Sequence, residues 1–517
     1  MHEMHTTHHL LTRKKFRVLA AGAATSALLS VALTPPALAA TATDTQALRD
    51  AVSAGSIVDH LEQLQAIAEA NDGNRTAGSS GHEASAEYIE SQLKAAGYTP
   101  QRQYFDYVKF NLTGEAFERL TPTPRTYTAD EFAAMSYSGF GDVSGTVTAV
   151  DINLSGDRAS TSGCEAADFA GFTAGNIALI QRGTCPFNTK AVNAQAAGAS
   201  AVIIFNQGDA DDRLDRVDGT LGAPTADNPE VTIPTVGTSF AIGEELAGLP
   251  GATARVMVTG DTEPIETFNV LADTTGRTDR TVLVGAHLDS VAEGPGINDN
   301  GSGSATILET ALQFSKLGIT PENRVRFAWW SGEEGGLIGS DYYVAQLSKA
   351  DLKNHALNLN FDMVASPNPV RFVYDGDGKQ LGTAGPNGSA QIEKTFLDYF
   401  ASQGLATEPT EFDGRSDYFG FIENGIPAGG LFTGAEEIKT TEQAAVYGGT
   451  AGVAYDPCYH QACDDIDNIN TAVLEQMADA VAHATLTFAM TQSAVNGTAN
   501  GKGGKLSMEF KGSKAVR

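Results

Sequence analysis

The stretch Thr281-Val-Leu-Val-Gly-Ala-His287-Leu-Asp289-Ser290 decides the fold. Its short aliphatic run reads as a buried strand, and its polar residues arrive where that strand must end. Two later segments repeat the design. Val325 to Trp330 runs into Ser331-Gly332-Glu333-Glu334-Gly335-Gly336, and Ala356 to Phe361 delivers Asp362. Between them, apolar residues recur at helical spacing near Gly303 to Leu317 and near Leu337 to Leu347. This alternation predicts an α/β fold, a mixed and mostly parallel sheet flanked by helices. In such sheets, functional groups gather at the carboxyl ends of the strands.

Toward the N-terminus, residues 47 to 70 place Leu48, Val52, Ile57, Leu61, Leu64 and Ile67 at helical spacing, and 82 to 97 do so through Ala86, Ile89, Leu93 and Ala96. Polar, Gly-rich Asn71 to Gly81 reads as the loop between them. From about Phe110 to Asp261 the texture changes to short β-branched runs, with helical periodicity only around Thr189 to Ala197, so a mostly β insert is expected. A last helix is expected from Thr471 to Phe488. The expected division is a leader at 1–39, the first part of the main domain at 40–110, the insert at 111–265, the rest of the main domain at 266–491, and a flexible polar tail at 492–517.

The leader rests on a basic stretch (Arg13, Lys14, Lys15, Arg17) followed by an apolar run from Val18 to Leu33 and then Ala37-Leu38-Ala39, the layout of a cleaved signal peptide. A secreted, extracellular protein without stable membrane association is the expectation. The chain has 517 residues, and 34 Lys+Arg against 63 Asp+Glu give it a net charge of -29. That charge repels the phosphate backbone and argues against a nucleic-acid partner. For an exported chain, pairing Cys164 with Cys185 and Cys458 with Cys463 is the simplest of three connectivities.

The polar residues at the strand ends suit a metal. In His287-x-Asp289 the two side chains can share a strand face, so Asp289 can hold one imidazole nitrogen while the other faces a cation. Adjacent Glu333 and Glu334 repel unless a cation or a proton intervenes. Asp299 lies ten residues beyond Asp289 in Asn298-Asp299-Asn300-Gly301-Ser302-Gly303, and His460 sits between Cys458 and Cys463. Two imidazoles with several carboxylates suit zinc, with manganese or cobalt as substitutes, and the number of acids suits a pair of ions.

The blocks HLDS, NDNGSG, SGEEGGLIGS, NFDMV and CYHQACD, with NRTAGSSGHEASAEYI upstream, resemble the leucyl aminopeptidase and aminopeptidase Y type of co-catalytic zinc metallopeptidase. The resemblance implies that His287 and Asp362 bind one zinc ion, Glu334 and His460 the other, and that Asp299 bridges both. It makes Glu333 the general base and Tyr459 an oxyanion donor, although Tyr459 can equally pack on the disulfide. Gly414-Arg415-Ser416-Asp417-Tyr418 resembles a segment lining the substrate pocket, where Arg415 either positions substrate or pairs with Asp413 or Asp417. The run Gly175 to Ile204 resembles a protease-associated domain. The activity so implied is removal of N-terminal residues, large apolar ones such as Leu foremost, from peptides with a free N-terminus, by a monomer. The alternatives are a carboxypeptidase or amidohydrolase using the same metals, and a non-catalytic receptor-like protein.

Overall fold

The computed structural model describes residues 43–209, 213–225 and 228–491. The expected leader and tail lie outside them. One sheet runs through the described residues in the order Glu408–Thr410, Phe372–Tyr374, Ala428–Phe432, His355–Phe361, Arg277–His287, Asn323–Trp330, Thr253–Asp273, Gly141–Val150, Ile177–Gln181, Ala201–Phe205, Thr235–Thr238 and Phe132–Ala134. The four strands from Ala428–Phe432 to Asn323–Trp330 are mutually parallel, so their carboxyl ends lie at one edge. These include all three strands expected to end in functional residues.

Both faces of this parallel group are covered, which explains its continuous apolar runs. Val282, Val284 and Ala286 face a cluster shared with the helices Ala54–Glu69, Ser80–Ala95, Gly303–Lys316, Ser389–Ser402 and Thr471–Met490. Leu283 points the other way, toward Trp330, Tyr343 and Phe421. Each large side chain buried this way contributes about 1.5–3 kcal/mol of transfer free energy. The helical stretch expected over 47–70 is two helices, Gln46–Arg49 and Ala54–Glu69. Ser53 interrupts it, because its hydroxyl accepts the N–H of Ser56 and starts the second helix as its cap.

Gln101–Thr121 and Thr253–Asp273, each of 21 residues, pair antiparallel along nearly their whole length and carry the sheet into the insert. Phe110 opposes Thr262, so the expected domain edges fall inside these strands rather than in linkers. Within the insert, strands dominate as expected, and the four from Gly141–Val150 to Thr235–Thr238 run parallel. The helix expected near 189–197 is Phe187–Ala196, and a second, Phe240–Ala247, was not signalled. Each helix packs on one face: Ile177 and Leu179 lie with Phe240, and Ala178 and Ile180 with Phe187 and Ala191.

Candidate metal centre

His287 is the last residue of the strand Arg277–His287 and is almost fully buried. Its Nδ1 lies 3.1 Å from the main-chain carbonyl of Asp289, whereas the Asp289 carboxylate is 3.8 Å away. The partner is therefore the carbonyl rather than the expected carboxylate. The chain leaves the strand after His287, which turns that carbonyl back to the ring and leaves Asp289 Oδ1 to accept the N–H of Glu333 at 3.3 Å. A proton held on Nδ1 by a carbonyl leaves Nε2 as the free lone pair.

Asp299 lies in the turn Ile297–Ser302, just before the helix Gly303–Lys316. One carboxylate orders this turn: Asp464 Oδ1 accepts the N–H of Asn298 at 2.8 Å and Oδ2 that of Asp299 at 3.0 Å. Asn298 in turn donates to Asp456 Oδ2 at 2.6 Å. Asp362 follows the strand His355–Phe361, and Ser416 Oγ donates to its Oδ2 at 2.6 Å. His460 sits in the loop closed by the Cys458–Cys463 disulfide, and Cys164 is joined to Cys185.

These side chains converge. Asp299 Oδ1 is 3.2 Å from His287 Nε2, and its Oδ2 is 3.0 Å from His460 Nε2. Asp362 Oδ1 is 3.3 Å from His287 Nε2, and Glu334 Oε2 is 3.0 Å from His460 Nε2. Glu333 Oε2 stands farther off, 3.9 Å from His287 Nε2. The buried atoms His287 Nε2, His460 Nε2, Glu334 Oε1 and Asp362 Oδ1 have no hydrogen-bond partner. Donors about 2 Å from a tetrahedral zinc ion stand about 3.3 Å apart, so the donor types and their spacing fit such an ion.

The protein's own charges are strained without a cation. Burial alone would lower the His460 pKa, but Glu334 and Asp299 raise it to about 10. Burial pushes Glu334 up to about 7, against the pull of His460. Glu333 is driven well above the usual carboxylate range by burial first, partly offset by His287 and reinforced by Asp362, Asp417 and Glu334. Surplus buried negative charge of this kind is what a bound cation relieves.

Asp299, Glu333, Asp362, Arg415 and Tyr459 line one cavity, together with Met363, Tyr374, Phe432 and Ala435 and the carboxylates Glu411, Asp413 and Glu437. Tyr459 stacks on the His460 ring at 3.9 Å. The Arg415 guanidinium meets Glu436 at 2.9 Å rather than the side chain of Asp413 or Asp417, and also donates to Tyr459 Oη at 3.4 Å. Asp413 instead accepts the Arg415 backbone N–H, since at a separation of two residues it closes a local turn. Sequence reading missed Arg75, Asp464, Asp456, Ser416 and Glu436. Asp464, Ser416 and Arg75 stand inside the quoted motifs and were open to scrutiny, although the carbonyls that Arg75 reaches lie more than 200 residues away, whereas no quoted motif includes Asp456 or Glu436.

The model of Peptidase family M28 matches residues 269–485, and that of the PA domain matches 143–246. The chain is 47% identical over 448 residues to an aminopeptidase of Pseudomonas aeruginosa, covering 86% of this chain and 82% of that one. It is 39% identical over 448 residues to leucine aminopeptidase 2 of Arthroderma otae, covering 86% and 85%. Among solved structures, BSAP, a zinc aminopeptidase from Bacillus subtilis, superposes with a TM-score of 0.54 at 26% identity, covering 85% of this chain and 96% of that one. With all its metal-motif residues gathered at one strand edge, the chain belongs to peptidase family M28 and carries an inserted PA domain.

Proposed function

We propose that this peptidase is an exported aminopeptidase that releases single N-terminal residues, large apolar ones foremost, through a two-zinc centre. The observation that carries the reading is Asp299, whose two carboxylate oxygens each approach a different imidazole. His287 and Asp362 would hold one ion, Glu334 and His460 the other, and Asp299 would bridge them. Zinc in such a site lowers the pKa of water toward neutrality and polarises the scissile carbonyl.

Glu333 is the group left to move the proton. It lines the cavity beside the ligands, and burial raises its affinity for a proton above that of an ordinary carboxylate, which suits a general base. It accepts a proton from the attacking water and returns it to the leaving amine. The Tyr459 phenol, held by the His460 ring and by Arg415, donates to the oxygen that gains charge. Met363, Tyr374, Phe432 and Ala435 supply apolar wall for the side chain being removed.

Glu411, Asp413 and Glu437 favour a substrate ammonium over a carboxylate. Arg415 is already paired with Glu436, which argues against a carboxypeptidase. Leucine aminopeptidase 2 among the relatives and the zinc aminopeptidase among the structures support the same reading. Export fits the two disulfides and the expected leader, and no helix among the described residues is long and apolar enough to cross a membrane.

The test is hydrolysis of leucine p-nitroanilide by the purified chain. Activity should vanish on chelation, return with two equivalents of zinc, and be absent on N-acetyl-leucine p-nitroanilide. Equal cleavage of the blocked substrate would overturn the exopeptidase assignment.

A further inference from the structure

A second group of acids stands apart from the catalytic centre, on the loop after the strand Phe372–Tyr374 and on the helix Ser389–Ser402. Asp375, Asp377 and Glu393 each place one carboxylate oxygen within 4.8 Å of the other two. Acids at a surface gather without consequence, but two of these three are buried and Asp377 is partly so. Asp375 is 1% exposed and Glu393 6% exposed.

The hydrogen bonds leave this group incomplete. Asp375 Oδ2 accepts the N–H groups of Gln380 and Leu381 at 3.0 and 2.6 Å, but Asp375 Oδ1 is buried with no hydrogen-bond partner, and this carboxylate faces that of Asp377. Glu393 Oε2 accepts the N–H of Asp377 at 3.0 Å, which draws the helix onto the loop. The nearby ammonium of Lys379 hydrogen-bonds Asp377 at 2.7 Å, and its side chain is 79% exposed. It therefore reaches the group only from the solvent side. A buried carboxylate oxygen that faces other carboxylates and lacks a donor costs free energy unless a cation completes its shell.

We propose that Asp375, Asp377 and Glu393 hold a hard divalent cation, calcium foremost, that fastens the 375–381 loop to the helix Ser389–Ser402. The donor set is all oxygen, with neither imidazole nor thiolate, which selects calcium over zinc. Three carboxylates leave room for water in a shell of six to eight ligands. The loop's Asp-Gly-Asp-Gly sequence permits the tight path: Gly378 has φ +65°, and a Cβ on Gly376 would stand 2.2 Å from the carbonyl oxygen of Ser389.

The experiment titrates calcium chloride into the zinc-loaded full chain in calcium-free buffer, followed by calorimetry and by thermal melting. The intact protein should bind calcium and melt at a higher temperature with it. Asp375→Asn and Glu393→Gln should each bind one calcium equivalent fewer, or bind it at least about tenfold more weakly, and lose that part of the melting shift. Their hydrolysis of leucine p-nitroanilide at saturating zinc should be unchanged. Asp377→Asn, at a less buried position, should behave alike and serves if the buried variants do not fold. No calcium binding by the intact protein, or binding by folded Asp377→Asn equal to that of the intact protein, would overturn the proposal.

Discussion

Arg75 Nη2 donates to the carbonyl oxygen of Gly296 at 2.7 Å. The same guanidinium donates from Nε to the carbonyl of Pro295 at 2.8 Å and from Nη1 to that of Leu288. It thereby ties the residue after His287 to the loop that leads into Asp299. Burial lowers the Arg75 pKa to about 10, while Asp289, Asp464, Asp299 and Glu334 support its charge, so it remains cationic at neutral pH. Arg75→Met removes the donors from three buried carbonyls, and a loss of about 3–5 kcal/mol is expected. Arg75→Lys keeps the charge but not the fork, and should fall between the two. Urea unfolding measures the stability, and zinc per chain after gel filtration should fall in the same order.

Glu333→Gln keeps the size and the backbone contact with Asp289 but cannot take a proton. A fall in kcat of about 10²–10⁴ is expected, with KM and zinc content close to those of the parent. Steady-state kinetics with metal analysis checks both, and retention of activity would remove Glu333 from the proton path.

Much of this centre was legible because one design repeats: apolar runs give way within a few residues to His287, to Glu333 and Glu334, and to Asp362, and the repetition points to a site where any one strand end alone would not. The neighbouring strand Ala428–Phe432 was silent. Its Gly429 and Gly430 leave no apolar signature, yet a Cβ there would stand 2.6 Å from Ile392 and 1.8 Å from the carbonyl of Asn360, so close packing is what demands glycine. The two 21-residue strands were obscured for the opposite reason. Where Gln101–Thr121 is open to solvent on both faces, polar residues interrupt the alternation that identifies a strand. The Arg415–Glu436 pair and the Arg75 clamp are tertiary events, settled by how loops meet rather than by spacing.

Acid should destabilise the protein through His82 and His355. Burial is the first cause in both: it lowers His82 to about 3, helped by Arg75 and Arg102, and His355 to about 4, helped by Arg326 and Arg324 against Asp351. His355 Nδ1 meets the carbonyl of Asp351 at 2.7 Å, so its Nε2 is the acceptor for Tyr343 Oη at 2.8 Å, a role that protonation ends. Between the folded and unfolded pKa values the unfolded chain binds the extra proton. Stability is therefore intact above about pH 6.5 and declines toward pH 4. The His355 share is at most about 3 kcal/mol. Urea midpoints measured from pH 7 to 4 should fall, and His355→Gln should flatten part of that slope.

The short disulfide should matter to metal affinity more than to global stability. It closes a loop with a sequence separation of only 5, so it removes little freedom from the unfolded chain. His460, inside that loop, holds a left-handed φ of 56° while its Nε2 stays 3.0 Å from both Asp299 and Glu334. With the loop opened, the imidazole must be ordered as the ion binds, and that entropy opposes binding. Cys458→Ser with Cys463→Ser should weaken zinc binding about 10-fold or more at the site His460 shares with Glu334. Excess zinc should restore most of the kcat, and the urea midpoint should scarcely move. A variant inactive at every zinc concentration, yet folded, would mean that the disulfide places Tyr459 for chemistry rather than His460 for metal.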